Sequence, residues 1–151
     1  MQTRRSMLQR SFAVAGMLAT TGLFPELALA YNNAAFQAKT IQDAIKALGG
    51  SAPVESKDVA ITGPDIAENG AVVPLGVSTT IAGVTKLLIL IEKNPSTLVA
   101  VFNTSDAVEA NFATRAKMGQ SSDVYAVAMT ADGKAFFAKK EVKVTLGGCG
   151  G

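Results

Sequence analysis

Short apolar runs separated by turn residues fill the sequence from position 58 to position 146. They fall at positions 59–61, 71–78, 86–92, 98–102, 109–117, 123–130 and 135–146. Runs of this length at spacings of about 8–12 residues are typical of two-sheet β-sandwiches. The pattern predicts a mainly β fold, an immunoglobulin-like β-sandwich of about seven strands in one domain at 31–146.

Three of these runs carry further information. The run at 86–92 is apolar throughout between its terminal charges, which predicts a strand at the centre of a sheet. Pro74 lacks a backbone donor and therefore indicates an edge strand or a bulge in the run at 71–78. Asp132-Gly133 is a strong signal for a tight turn, so we expect the last two strands to form a hairpin.

One helix is predicted ahead of the strands, over residues 33–48. Its apolar residues recur at helical spacing, namely Ile41, Ala44, Ile45 and Leu48. Asn32 or Asn33 can cap its start, and Gly49-Gly50 ends it. Because a helix of about 16 residues is marginal alone in water, we expect it to cover one end of the sheet.

Residues 1–30 have the pattern of an export signal. Arg4-Arg5 precedes a weakly apolar run at 12–24, and Ala28-Leu29-Ala30 is a cleavage site of the A-x-A kind. The arginine pair favours the bacterial twin-arginine route, although a Sec signal with two arginines would also fit. Either route delivers the chain outside the cytoplasm, and we expect a periplasmic protein without membrane attachment after cleavage.

The charge balance changes once this leader is set aside. The leader holds three of the 14 basic residues and one of the 12 acidic residues, which leaves 11 of each. Nucleic-acid binding normally requires a basic patch, so the balance argues against it.

The sequence closes on a single cysteine surrounded by glycines. Cys149 is the only cysteine, and its neighbours are Gly147, Gly148, Gly150 and Gly151. Glycine resists being held in one conformation, so residues 147–151 are predicted to form a flexible arm. From Leu146 to Cys149 an extended chain spans roughly 10 Å, a length suited to insertion into a partner's cleft. An unpaired cysteine in an exported protein indicates an intermolecular link or a reactive thiol.

No local catalytic machinery accompanies this thiol in the sequence. There is no histidine, which removes the usual base of Ser-His and Cys-His catalysis and the commonest metal ligand. We therefore predict a carrier rather than an enzyme, without a metal or cofactor of its own. The alternative is an exported structural module whose Cys149 forms a disulfide between two chains.

With these features in place, the sequence resembles the SoxY family of the periplasmic Sox thiosulfate-oxidation system. The resemblance rests on the terminal Gly-Gly-Cys-Gly-Gly of 147–151, on the twin-arginine leader, and on Glu68-Asn69-Gly70-Ala71-Val72-Val73-Pro74. The last stretch matches the family's E-N-G-x-x-V-P segment, and we assign it to the fold rather than to chemistry.

The resemblance implies an immunoglobulin-like fold and a heterodimer with the small β-protein SoxZ. It implies that Cys149 bears thiosulfate-derived sulfur covalently, as a thiosulfonate and then a persulfide. It also implies transient contacts with the haem-containing SoxAX, the hydrolase SoxB and, where present, SoxCD.

Overall fold

A computed structural model describes residues 33–145 of the chain. The elements in chain order are α1 (Asn33–Gln37), α2 (Ile41–Ala47), β1 (Val54–Glu55), β2 (Val59–Thr62), β3 (Ile66–Ala67), β4 (Val73–Thr79), β5 (Val84–Ile91), β6 (Leu98–Asn103), β7 (Asn111–Ala116), β8 (Ser122–Thr130) and β9 (Ala135–Val144). Seven of these strands correspond to the seven predicted runs. β1 and β3, of two residues each, were not predicted because they are too short to show a pattern.

The strands form two sheets, which confirms the predicted mainly β sandwich. The large sheet has the order β1-β9-β8-β5-β6, and β3 also pairs with β9. The small sheet has the order β2-β4-β7. The consecutive long strands of the large sheet pair antiparallel, whereas β1 and β3 run parallel to β9 along its outer edge. The last strand is therefore held on both sides.

Two apolar layers explain why β5 is apolar at every position from Leu87 to Ile91. Leu87, Ile89 and Ile91 belong to the core between the two sheets. Leu88 and Leu90 belong to a second core, shared with the helical segment. All five side chains are fully buried. Alternating side chains of a strand point to opposite faces, so a strand covered on both faces must be apolar throughout.

The helical segment differs from the prediction in two ways. It packs its buried Ala44 and Ile45 on the outer face of the large sheet, not over one end of it. It is also two helices, because Thr40 adopts an extended backbone and caps α2 by accepting a hydrogen bond from the Asp43 amide at 3.1 Å. Of the two predicted caps, Asn32 lies outside the described residues and Asn33 is the first residue of α1.

The predicted end of the helical segment and the predicted hairpin turn are both confirmed. Gly49 follows α2 with φ +86° and Gly133 sits in the β8–β9 turn with φ +82°, conformations that favour glycine.

The prediction that Pro74 marks an edge strand or a bulge is wrong for β4 as a whole. The pairing of β4 with β7 runs from Val73 to Ser78 in one register, without a bulge. β4 is the middle strand of the small sheet. Its pairing with β2 extends only as far as Gly76, whereas Pro74 lies opposite Arg115 of β7. Pro74 therefore sits where β4 has a neighbour on one side only, and its missing N–H removes no bond to β2.

Candidate functional site at the end of the last strand

The predicted site residues lie just beyond the part of the chain that the structure describes. Cys149 and its neighbours Gly147, Gly148, Gly150 and Gly151 are outside residues 33–145, and so is the predicted leader at 1–30. The structure does describe where this tail (147–151) starts from. Residues 143–145, here called the tail root, are the last two residues of β9 and the residue that follows them.

The tail root is hydrogen-bonded on one side to the segment around β3. The Lys143 amide donates to the Asp65 carbonyl at 2.9 Å, and the Thr145 amide donates to the Ala67 carbonyl at 3.1 Å. The Thr145 hydroxyl also donates to the Glu68 carbonyl at 3.3 Å. These bonds continue the pairing of β3 with β9 as far as the last described residue.

The other side of the tail root is held by the loop before β8. The Val144 amide donates to the Ser121 hydroxyl oxygen at 2.9 Å. Val144 is also packed against the core between the sheets. With bonds on alternate sides at successive residues, the backbone at 143–145 has a fixed position and direction.

The E-N-G-x-x-V-P segment forms the support of this root. The Asn69 carboxamide oxygen accepts from the Ala71 amide at 2.9 Å, which closes a local turn. At the centre of that turn the Gly70 carbonyl accepts from the Met118 amide at 2.7 Å. The segment thus bridges the root to the loop that holds its other side.

Position 70 has no room for a side chain larger than that of glycine. A Cβ added there would lie 2.4 Å from the Met118 carbonyl oxygen and 2.8 Å from Cγ1 of Val144. Sequence reasoning assigned this stretch to the fold in general and did not place it against the tail root. Its only signal was the family motif, because contacts between positions near 70 and 144 leave no periodicity.

Two ion pairs lie along β9 ahead of the tail root. The Lys140 ammonium lies 2.9 Å from the Asp65 carboxylate and donates to the Gly63 carbonyl at 2.6 Å. The hydrogen bond from Lys140, and then its charge, lower the pKa of the Asp65 carboxyl. Further along β9, Lys139 lies 3.5 Å from Asp123. The first pair links β9 to the residue before β3, and the second links β9 to β8.

Within 33–145, no three or more His, Cys, Asp or Glu side chains are grouped so that they could hold a metal ion. No helix in the same range is long and apolar enough to cross a membrane.

Comparison with solved structures gives a relative of clear sequence similarity. This is the sulfur carrier protein SoxY from Chlorobium limicola f thiosulfatophilum, 38% identical, with a TM-score of 0.63. The match covers 71% of this chain and 97% of that one. A variant of the superoxide reductase (neelaredoxin) from Ignicoccus hospitalis is 17% identical with a TM-score of 0.51, over 66% of this chain and 87% of that one. At that identity the likeness shows the fold alone.

Among curated proteins nothing matches this chain. The chain does match one protein family, described as sulfur oxidation protein SoxY, over residues 45–149. The matched range runs through the strands of both sheets, through the tail root, and up to and including Cys149. The chain therefore belongs to the SoxY family.

Proposed function

We propose that this protein carries sulfur intermediates covalently on Cys149 and that its tail presents them to partner enzymes. The observation that carries the proposal is the family match, which extends to residue 149 and so includes the only cysteine in the sequence. The solved relative is described as a sulfur carrier protein. A carrier rather than an enzyme is the role that this family and this relative support.

The chemistry follows from the family resemblance and from the properties of thiols. In the first step a bond forms between the Cys149 sulfur and the outer sulfur of thiosulfate. The thiol proton goes to water and two electrons go to a haem-containing oxidant, SoxAX. The product is a cysteine S-thiosulfonate. SoxB then adds water to the sulfonate sulfur and the sulfur–sulfur bond to that atom breaks. Sulfate leaves with the released protons, and a persulfide remains on Cys149, a known reversible state of cysteine.

The assembly proposed around this chemistry also comes from the resemblance. The chain pairs with SoxZ as a heterodimer in the periplasm, which it reaches by the twin-arginine route. SoxCD, where an organism has it, oxidises the persulfide sulfur further. The carrier itself supplies the covalent anchor and the reach.

The tail root supports the proposed swinging-arm role of residues 147–151. Thr145 is fixed by the carbonyls of Ala67 and Glu68, so the tail departs from one defined point of the sandwich. Beyond it, glycines flank the thiol on both sides. They allow the close approach of a surrounding channel, which larger side chains would obstruct.

The carrier proposal is tested by loading. The purified protein and a Cys149→Ser variant are incubated with thiosulfate and the partner proteins of the host, and the intact mass is recorded. We expect the wild type to gain one S-thiosulfonate, later replaced by a persulfide, and the variant to gain nothing. Equal loading of the variant, or no loading of the wild type, would contradict the proposal. A permanent disulfide-linked dimer on non-reducing electrophoresis, inert to thiosulfate, would favour the structural module.

The arm is tested separately with Gly148→Phe and Gly150→Phe. Both variants are expected to fold normally, since these positions follow the predicted sandwich domain at 31–146 in the sequence, but to load and unload more slowly. Turnover equal to wild type would mean that passage through a narrow channel is not the reason for the glycines.

A further inference from the structure

We propose that a small apolar surface beside the tail root is where the enzyme that couples thiosulfate to Cys149 docks. We call it the root patch and define it by Ile66, Ala71 and Val72, all of them exposed. The inference rests on the proposed function, because it asks what an enzyme must touch in order to reach the thiol.

The root patch is part of the segment that holds the root. Ile66 lies in β3 directly opposite Lys143 in the parallel pairing with β9. Ala71 and Val72 follow the turn at Gly70, where an added Cβ would lie 2.8 Å from Cγ1 of Val144. The patch therefore borders the point at which the tail leaves the sandwich.

Exposed apolar side chains of this size are few in the described part of the chain. Four large ones stand out, Val54 at 61%, Ile66 at 58%, Val72 at 51% and Val108 at 48% relative exposure. Val54 lies opposite Phe136 near the start of β9, and Val108 lies in the β6–β7 loop. Both are at the end of the sandwich remote from the tail root. Single exposed apolar residues are ordinary, so position must decide which of the four have a role.

The length of the tail indicates which of these four residues an enzyme can contact. Cys149 is four residues beyond Thr145, and four extended residues span at most about 13–14 Å. Because Thr145 is hydrogen-bonded in place, the thiol cannot reach farther than this from a fixed point of the surface. If the reacting atoms lie roughly 10 Å inside a cleft, about three residues of tail are used within it. The rim of that cleft must then press against the surface around the tail root, which includes Ile66 and Val72.

The side chains in and around the root patch indicate what kind of enzyme surface docks there. Glu68 and Lys143 are exposed beside the patch, and Arg115 and Lys117 are exposed at the end of β7, opposite the residues that follow Val72. The next acid along the segment, Asp65, is paired with Lys140. The exposed aliphatic side chains of Ile66 and Val72 suit an apolar rim on the enzyme.

The test compares two variants at the root patch with two matched controls. Ile66→Asp and Val72→Asp introduce a charge into the patch, and Val54→Asp and Val108→Asp introduce the same charge at the remote end. Each is made in the full chain and purified from the host after export. Each protein is mixed with thiosulfate and the purified thiosulfate-coupling enzyme. The rate at which Cys149 gains S-thiosulfonate is measured at a series of carrier concentrations, and its dependence on concentration gives kcat/KM.

We expect kcat/KM to fall about tenfold or more for Ile66→Asp and Val72→Asp, from the loss of one buried aliphatic contact each. The two control variants should stay within about twofold of wild type, as expected for surface changes that touch no partner. Alkylation of Cys149 by iodoacetamide needs no docking and should proceed at the same rate in all five proteins. Thermal unfolding checks the fold. If an aspartate variant is unstable, the milder Ile66→Thr and Val72→Thr replace it.

Three outcomes would overturn the proposal while the carrier function stands. The first is a kcat/KM of the patch variants equal to that of the controls. The second is weaker assembly of the patch variants with the partner subunit, which would make the patch a subunit interface. The third is elution of the wild type, but not of the patch variants, at the size of a dimer on gel filtration. That result would place a second copy of this chain on the patch. Failure of the proposed function would look different, because wild-type Cys149 would then gain no sulfur at all.

Discussion

Substituting Gly70 with alanine tests whether the support of the tail root is as tightly built as its distances indicate. The added Cβ would lie 2.4 Å from the Met118 carbonyl oxygen and 2.8 Å from Cγ1 of Val144. A backbone oxygen cannot rotate away as a side chain can. The turn must therefore shift, and the shift strains the 2.7 Å bond from the Met118 amide to the Gly70 carbonyl.

The size of the effect follows from these two contacts. Overpacking by one carbon in a closed site costs typically 1–3 kcal/mol. Loss of the hydrogen bond adds about 1 kcal/mol, and the reduced entropy of the unfolded chain returns roughly 0.4–1 kcal/mol. The free energy of unfolding should fall by about 2 kcal/mol net. For a domain of this size that corresponds to a decrease in Tm of about 8 °C.

Gly119→Ala is the matched control in the same loop region. Its added Cβ would meet nothing within 4 Å, so it should be neutral or slightly stabilising. Urea and thermal unfolding of both variants, followed by circular dichroism, measure the difference. If Gly70→Ala unfolds with a free energy within about 0.5 kcal/mol of Gly119→Ala, the close packing at the root is not real.

Three further predictions concern the sandwich itself. Thr97 is fully buried and its hydroxyl oxygen has no partner among the described residues, so Thr97→Val should leave the urea midpoint unchanged or raise it; a clear decrease would reveal a partner. Thr40→Ala removes the side-chain acceptor of the Asp43 amide and should cost about 1 kcal/mol in urea unfolding, whereas a cost near zero would mean that the cap does not stabilise α2. Hydrogen bonds from Lys134 and then Thr130 lower the pKa of the Asp132 carboxyl from 3.8 to about 2. Since the folded pKa is the lower one, the stabilisation by Asp132 is present above about pH 4 and is lost as the pH falls towards 2. The difference in urea midpoint between wild type and Asp132→Asn should shrink over that range, and a constant difference would contradict the assignment.

The strands could be predicted because their signals are local. The apolar run of β5 and the Asp132-Gly133 turn between β8 and β9 each report their own conformation over a few residues. The break between α1 and α2 also had a local signal that the prediction missed, since Thr40 and Asp43 stand at capping spacing. Hydrophobic periodicity across positions 33–48 concealed it.

The roles of Pro74 and of the short strands depended on pairing, which a sequence window does not contain. Whether Pro74 lies on an open side is decided by how far β2 extends along β4. Whether Ile66 is in a strand at all is decided by Lys143, which is 77 positions away. Neither follows from residue type.

The same division applies to the candidate site. By itself the sequence determined that one thiol exists, that glycines surround it, and that no histidine accompanies it. These are properties of composition and order, and they favoured a carrier. Only the tertiary structure decided that the strand before the thiol is fixed by Ala67, Glu68 and Ser121. It also decided that Ile66 and Val72 are exposed at that end of the sandwich. Those facts arise from contacts between distant parts of the chain, because folding alone brings the segment at 65–72 against the end of β9.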